Sequence, residues 1–331
     1  MKILIAGGAG YIGSTISSKL IDSGHTPVIL DDLSTGKLEF VRNRIFYKGD
    51  IADKKILDLI FHDHPDIEIV VLCAALIDVS ESVAEPVMYY QSNVVKSLEF
   101  VSHLLEFNCK KLIFSSSASI YSGSDVLDEY TTVRPSSPYG NTKAICEIML
   151  NDIVKSTDLR VLSLRYFNPI GCDPYFRTGL QLKYSSSVLG RMMYAMESST
   201  DFLVTGADFS TRDGSGVRDY IHVWDLAEAH LSAIERFDDS LFSHSTYEVI
   251  NLGDGSGVTV FELLEVFNRL STKKITVKVG PRRPGDVAGG FTDITKAARL
   301  LGWRPGYTLS DAVAHSLTWH SIRSKIIDGN L

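Results

Sequence analysis

Tyr139 and Lys143 stand four residues apart, behind a Ser137-Pro138 pair that reads as an N-cap and first helical residue. That spacing puts both side chains on one helix face. An ammonium beside a phenol favours the phenolate. The pair is therefore expected to pull Tyr139 below the usual value of about 10, towards use as a base. A Tyr-x-x-x-Lys pair arises by chance on many helices. This one gains meaning because Ser115-Ser116-Ser117 closes the preceding strand, where a hydroxyl can face the same ligand. Tyr139, Lys143 and Ser117 are the catalytic candidates.

A second cluster opens the chain. Gly7-Gly8-Ala9-Gly10-Tyr11-Ile12-Gly13 follows an apolar strand and begins a helix. Glycines at 7, 10 and 13 let the backbone approach a pyrophosphate, and the helix start offers free N–H groups. The spacing differs from G-x-G-x-x-G, and a tight turn alone would also use these glycines; the strand–turn–helix setting favours the dinucleotide. Asp31, 24 residues after Gly7, ends the second strand where an acid binds ribose hydroxyls. It would repel a 2′-phosphate and no arginine follows it immediately, so NAD is favoured over NADP. In the second half Arg218 and the pair Arg282-Arg283 supply cations, with Asp219, Asp225 and Asp286 as available partners. His222 reads as structural.

These residues need a frame. Short β-branched runs (Ile3–Ala6, Pro27–Leu30, Ile45–Tyr47, Ile69–Ala74, Lys111–Ser116, Val161–Tyr166) alternate with helical stretches at Ile12–Ser23, Lys54–His62, within Glu85–Phe107 and after Pro138. That alternation predicts an α/β fold, a doubly wound parallel sheet of Rossmann type, with a smaller C-terminal α/β substrate lobe. Residues 1–167 form the expected NAD-binding domain. Residues 168–331 form most of the other lobe, with helices at 188–197, 223–236, 259–270, 294–301 and 309–322. Part of about 219–252 is expected to return to the first domain.

Composition narrows the class further. Of 331 residues 44% are apolar and 22% charged, enough for a folded core. With 33 basic against 40 acidic residues, the net charge of −7 argues against nucleic acid as a partner. The longest apolar run, Ile69–Ile77, falls well short of the roughly 20 residues of a membrane span. The start, Met1 to Ala6 running into glycines, leaves no room for a secretory signal. Cys73, Cys109, Cys146 and Cys172 show no metal-ligand spacing. A cytoplasmic protein, binding no metal, membrane or nucleic acid, is expected.

Taken together, the motifs resemble the extended short-chain dehydrogenase/reductases, and among them the UDP-glucose (UDP-galactose) 4-epimerases. The similarity rests on the Gly loop at 7–14, Asp-Asp-Leu-Ser-Thr-Gly at 31–36, Gly-Asp-Ile at 49–51 and Ala74-Ala75-Leu76. It continues through Asn93, Phe-Ser-Ser-Ser-Ala at 114–118 and Ser-Pro-Tyr-Gly-Asn-Thr-Lys at 137–143. Leu-Arg-Tyr-Phe-Asn-Pro at 164–169, Asp-Gly-Ser-Gly-Val-Arg-Asp-Tyr-Ile-His-Val at 213–223 and Arg-Arg-Pro-Gly-Asp at 282–286 complete it. The resemblance implies an isomerase that inverts C4 of a UDP-hexose through a transient 4-keto sugar. It implies that NAD contacts Tyr11, Ile12, Asp31, Asp32, Leu33, Ser34, Thr35, Gly36, Asp50, Ile51, Cys73, Ala74, Ala75, Asn93, Lys143 and Phe167. The UDP-sugar would meet Ser117, Tyr139, Asn168, Arg218, Arg283, Asp286 and Gly290.

Three positions depart from the family pattern. Ile77 stands where a lysine is usual, and serines at 185–187 replace an Asn-Asn-Leu. Gly290 stands where glucose/galactose-restricted members carry tyrosine, so UDP-N-acetylhexosamines are expected to fit as well. Ser117 is followed by Ala118-Ser119, not the acidic pair of related dehydratases. A UDP-glucuronate or UDP-pentose 4-epimerase stays open, with Arg177 as a possible carboxylate partner, as does a non-catalytic NAD sensor of the same fold. Val94, Val95, Leu98, Val101, Leu104, Leu105, Ile145, Ile148 and Met149 exceed one sheet-facing stripe, so a homodimer is expected.

Overall fold

The computed structural model describes residues 1–107, 109–122, 126–238, 245–282 and 288–328. β1 (Lys2–Ala6) turns into α1 (Tyr11–Asp22), then come β2 (Thr26–Asp31), β3 (Ile45–Lys48), α2 (Lys54–Asp63) and β4 (Ile67–Leu72). They are followed by α3 (Val79–Ala84), α4 (Pro86–Tyr90), α5 (Lys96–Leu104), β5 (Lys111–Ser117), the short β6 (Val126–Leu127), α6 (Pro138–Ile153) and β7 (Arg160–Tyr166). The second half holds β8 (Asn168–Ile170), α7 (Val188–Ser198), β9 (Phe202–Thr205), β10 (Val217–Arg218), β11 (Tyr220–His222), α8 (Val223–Glu235) and β12 (Tyr247–Leu252). It ends with β13 (Val258–Thr259), α9 (Val260–Leu270), β14 (Val277–Gly280), β15 (Phe291–Thr292), α10 (Thr295–Leu301) and α11 (Leu309–Ile327).

Seven strands form one sheet in the order β12-β7-β5-β4-β1-β2-β3, with every pairing parallel. Alternation along β1 shows why its run is continuously apolar. Ile3 and Ile5 join a core beneath α1, α8 and α10, while Leu4 and Ala6 join one beneath α2, α5 and α6. A third core, with Met192, Leu263, Phe267 and Val313, fills the second lobe. No helix among the described residues is long and apolar enough to cross a membrane.

Two features of this frame bear on the site. The helix expected within Glu85–Phe107 runs from Pro86 to Leu104, with Gln91–Val95 forming a π-turn between α4 and α5. Its physical reason is Asn93, buried at that turn. Its amide accepts from Leu76 N at 2.8 Å and donates to Leu76 O at 2.9 Å and Thr142 Oγ1 at 3.1 Å. The π-turn aims one side chain at the loop after β4 and at α6 together. The second feature is β12. It lies about 80 residues beyond β7 in the chain, yet closes the edge of the N-terminal sheet.

Candidate active site

Parallel pairing gathers the loops after β1, β2, β4 and β5 at one edge of the sheet. The first of these holds Gly7 at φ +84°, and a Cβ there would lie 2.5 Å from Ala74 N. Gly13 is as confined: a Cβ would sit 2.3 Å from Gly7 O. α1 begins at Gly10 with no side-chain cap, whereas Asp53, Asp78 and Ser137 cap α2, α3 and α6. The first N–H groups of α1 thus remain available for an anion.

Asp31 is buried, not an exposed turn residue. Its two oxygens accept from Ala9 N and Leu33 N, each at 2.9 Å, so it ties the Gly loop to the 31–36 loop. Burial raises its pKa, while those two N–H groups oppose the shift. Further lone pairs on the carboxylate stay free for hydroxyls. Asp32 accepts from Ser34 N. Asp50 is paired with Lys96, beside buried Ile51. Tyr11 donates to Gly171 O at 2.7 Å, joining the Gly loop to the segment after β8. Cys73, Ala74 and Ala75 continue β4, with Cys73 N and Ala74 N donating to Ala6 O at 2.8 and 3.0 Å. A close-packed glycine cradle, an uncapped helix start and a buried carboxylate at the end of β2 fit a dinucleotide.

The reaction end lies one loop further along the sheet. Ser137 caps Gly140 N at 3.1 Å and Pro138 takes the first turn of α6, aiming Tyr139 at Ser117. The Tyr139 phenol lies beside the Ser117 hydroxyl, and both side chains are buried. The electrostatics correct the sequence reading. Burial pushes the Tyr139 phenol up and Ser117 beside it pulls the other way, so the phenol stands above its usual value, not below it. Lys143 instead donates to Ser115 O at 2.7 Å and lies over the Phe114 ring, and burial lowers its own pKa. Behind it Ser115 bonds the Tyr166 hydroxyl at 2.8 Å, and Tyr166 meets His230 Nε2 at 2.5 Å. His230 Nδ1 pairs with Leu226 O, so Nδ1 donates and Nε2 accepts. Burial pushes that imidazole down to about 4.

Towards the second lobe, Phe167 is buried and Asn168 exposed, its N–H donating to Asp219 O. Arg218 donates to Val217 O at 2.7 Å beside the 288–290 stretch, where Gly290 is half-buried. Arg283 and Asp286 lie outside the described residues. Asp219 is no ion-pair partner: its carboxylate accepts from Asp254 N, Gly255 N and Thr292 N, and burial raises it to about 6. Asp225 likewise accepts from Gly306 N and Tyr307 N. His222 Nδ1 caps α8 at Trp224 N and its Nε2 meets His315 Nδ1 at 3.0 Å, a structural role. Arg177 is committed elsewhere, forked onto Asp22 at 2.7 and 2.8 Å and bonded to Asp173. Ser187 caps α7 and Ser186 bonds Asp78, next to the exposed Ile77. Sequence reasoning missed Tyr220. It is the register partner of Asn168, and its buried hydroxyl has no hydrogen-bond partner. The signal was its place two residues after Arg218. Among the described residues no cluster could hold a metal ion.

A doubly wound parallel sheet with a glycine cradle after β1 and a Ser–Tyr–Lys set at β5 and α6 defines a dinucleotide-dependent protein of short-chain dehydrogenase/reductase type. The model of the NAD dependent epimerase/dehydratase family matches residues 3–253, and the chain belongs to that family. A UDP-glucose 4-epimerase of Rhizobium meliloti is 38% identical, covering 98% of both chains. A solved UDP-glucose-4-epimerase from Stenotrophomonas maltophila, with bound NAD and formylated UDP-arabinopyranose, superimposes with a TM-score of 0.92 at 33% identity over 98% of this chain and 99% of that one. The UDP-Glc/GlcNAc 4-epimerase from Campylobacter jejuni does so with a TM-score of 0.83 at 30% identity, over 97% and 99%.

Proposed function

We propose that the chain is an NAD-dependent 4-epimerase of UDP-hexoses, acting on UDP-glucose and UDP-galactose. The observation that carries this is the buried pair of Ser117 and Tyr139 with Lys143 one turn along α6, at the same end of the sheet as the Gly7 cradle. Gly7, Gly10, Gly13, Asp31 and the loop after β4 would hold the dinucleotide, which when bound supplies the hydride acceptor and donor for C4. Tyr139 takes the proton of the 4-hydroxyl onto its phenolate oxygen and later returns it. Ser117 donates to the same sugar oxygen. The Lys143 ammonium, which donates to Ser115 O, would hold a ribose hydroxyl of the bound dinucleotide. Arg218, Arg283, Asp286, Asn168 and the unpartnered Tyr220 hydroxyl grip the nucleotide end and leave the hexose free to present either face. The purified protein with NAD should interconvert UDP-glucose and UDP-galactose, read by chromatography, with no net consumption of NAD. NADP should not replace it. No interconversion, or equal activation by NADP, sinks the reading. The UDP-glucuronate alternative loses its support, because the Arg177 guanidinium is taken by Asp22 and Asp173. A cytosolic setting suits four cysteines that form no disulfide.

The acetylated sugars are part of the proposal. With hydrogen in place of a tyrosine side chain at Gly290, the sugar pocket gains room for a 2-acetamido group, and UDP-N-acetylglucosamine should be epimerised as well. Gly290→Tyr is expected to lower kcat/KM for that substrate by about tenfold or more while sparing UDP-glucose. If the wild type ignores acetylated sugars, or the tyrosine changes nothing, position 290 does not set specificity.

The expected homodimer also belongs here. Val101 and Leu104 are spent in the core, and Val94, Leu105 and Met149 pack against it. Val83, Val87, Val95, Leu98, Ile145 and Ile148 remain exposed on α3 to α6 (Ile148 at 63%), an apolar face that a second copy would cover. Light scattering at micromolar concentration should give twice the chain mass, and Leu98→Glu with Ile148→Glu the monomer mass. A monomeric wild type refutes the dimer.

A further inference from the structure

α6 carries a third residue on the face of Tyr139 and Lys143. Glu147, one turn beyond Lys143, is buried with its carboxylate directed at the sheet. Ser116 donates to Glu147 Oε1 at 2.5 Å. Arg165 of β7, the register partner of Ser116, forks onto both oxygens at 3.0 and 2.6 Å. Asn251 of β12 is the next residue in that rung, and Tyr121 closes it by accepting from Arg165 at 2.6 Å and donating to Asn251 at 2.8 Å. One polar rung, Ser116–Arg165–Asn251, therefore crosses three strands of the sheet directly beneath α6.

Stability does not account for this arrangement. Taking two charges out of water offsets most of their attraction, and replacing a buried pair by apolar groups of similar size is often neutral or stabilising. What the pair does provide is position. Two of the serines ending β5 are tied to α6 by hydrogen bonds, Ser115 O to Lys143 and Ser116 to Glu147, and the third, Ser117, lies beside Tyr139. The charged tie is two turns from Tyr139, where a sideways or axial slip of the helix would carry the phenol away from Ser117. An error of about 1 Å in such a pairing lowers a rate by about a hundredfold.

We propose that Glu147 and Arg165 are positioning residues that hold α6 in register with the end of β5, and so set the Tyr139–Ser117 geometry. The inference rests on the reading of Tyr139 as the base. It is tested on the full chain with UDP-glucose and NAD, using Glu147→Leu combined with Arg165→Met, which removes both charges together. The double variant should fold, bind NAD and show KM within about threefold of wild type, while kcat falls at least about tenfold. A purely structural pair would not split kcat from KM in this way. A folded double variant with kcat within twofold of wild type overturns the proposal, as does loss of NAD binding in step with kcat. Should the double variant not fold, Ser116→Ala decides, since it leaves the ion pair whole. It should lower kcat several-fold at unchanged KM, and an unchanged kcat overturns the proposal. Tyr139→Phe runs alongside. If it stays active, the base assignment fails; if it is inactive while the clamp variants keep full rate, only the positioning role fails.

Discussion

Tyr139→Phe is expected to fold, bind NAD as well as wild type, and lose turnover by about 10²- to 10⁴-fold, the range for removal of a general acid–base group. The substitution takes away one oxygen from a site that is otherwise closed by packing, so the ring keeps its place and only the proton carrier goes. Burial raises the Tyr139 phenol, so the phenolate fraction, and with it kcat, should climb as pH rises through the neutral range. The residual rate of the variant should lack that climb. Wild-type kcat in the phenylalanine variant would place the base elsewhere.

Gly7→Ala should be nearly as severe, for a different reason. The methyl must occupy a left-handed backbone position, which costs about 1–2 kcal/mol, and it must also displace Ala74 N from 2.5 Å. Pushing the loops after β1 and β4 apart spoils the cradle, and two lost charge-assisted hydrogen bonds to a pyrophosphate would weaken NAD by about 100-fold or more. Gly24 supplies the control. It has φ +79° but nothing within 4 Å of a Cβ. Gly24→Ala should therefore destabilise by about the same 1–2 kcal/mol and leave NAD affinity intact, as measured by calorimetric titration. Equal NAD affinity in the two variants would mean that the close approach at Ala74 does not matter for binding.

The parts of this molecule that were legible in the sequence are those governed by local rules. Continuous apolar runs between helices mark buried parallel strands, and glycines after the first strand mark a place of close backbone approach. The spacing of Tyr139 and Lys143 marks one helix face. What could not be read depends on partners distant in the chain. Part of 219–252 is expected in the first domain, but nothing local to Tyr247–Leu252 says which strand it pairs with, and nothing around Asn93 says that its amide will take both backbone groups of Leu76 at a π-turn. Arg177 looks free until Asp22 is folded against it. The expected lowering of Tyr139 failed for a related reason: a shared helix face fixes direction, while burial, which raises the Tyr139 phenol, depends on the whole fold.

The late arrival of β12 bears on how the protein is made. A ribosome that has just released β7 leaves that strand's outer edge bare, with its N–H and C=O groups unpaired, until about 80 further residues have emerged. At about 5–20 residues per second this interval lasts about 4–16 s, and an open β edge is an invitation to pair with a neighbouring nascent chain. A chain interrupted anywhere in that interval carries the whole glycine cradle and the Ser–Tyr–Lys set, yet has neither a finished sheet nor the Asn251 end of its polar rung. The stretch between β7 and β12 is therefore the part of its synthesis during which this side of the sheet stays open.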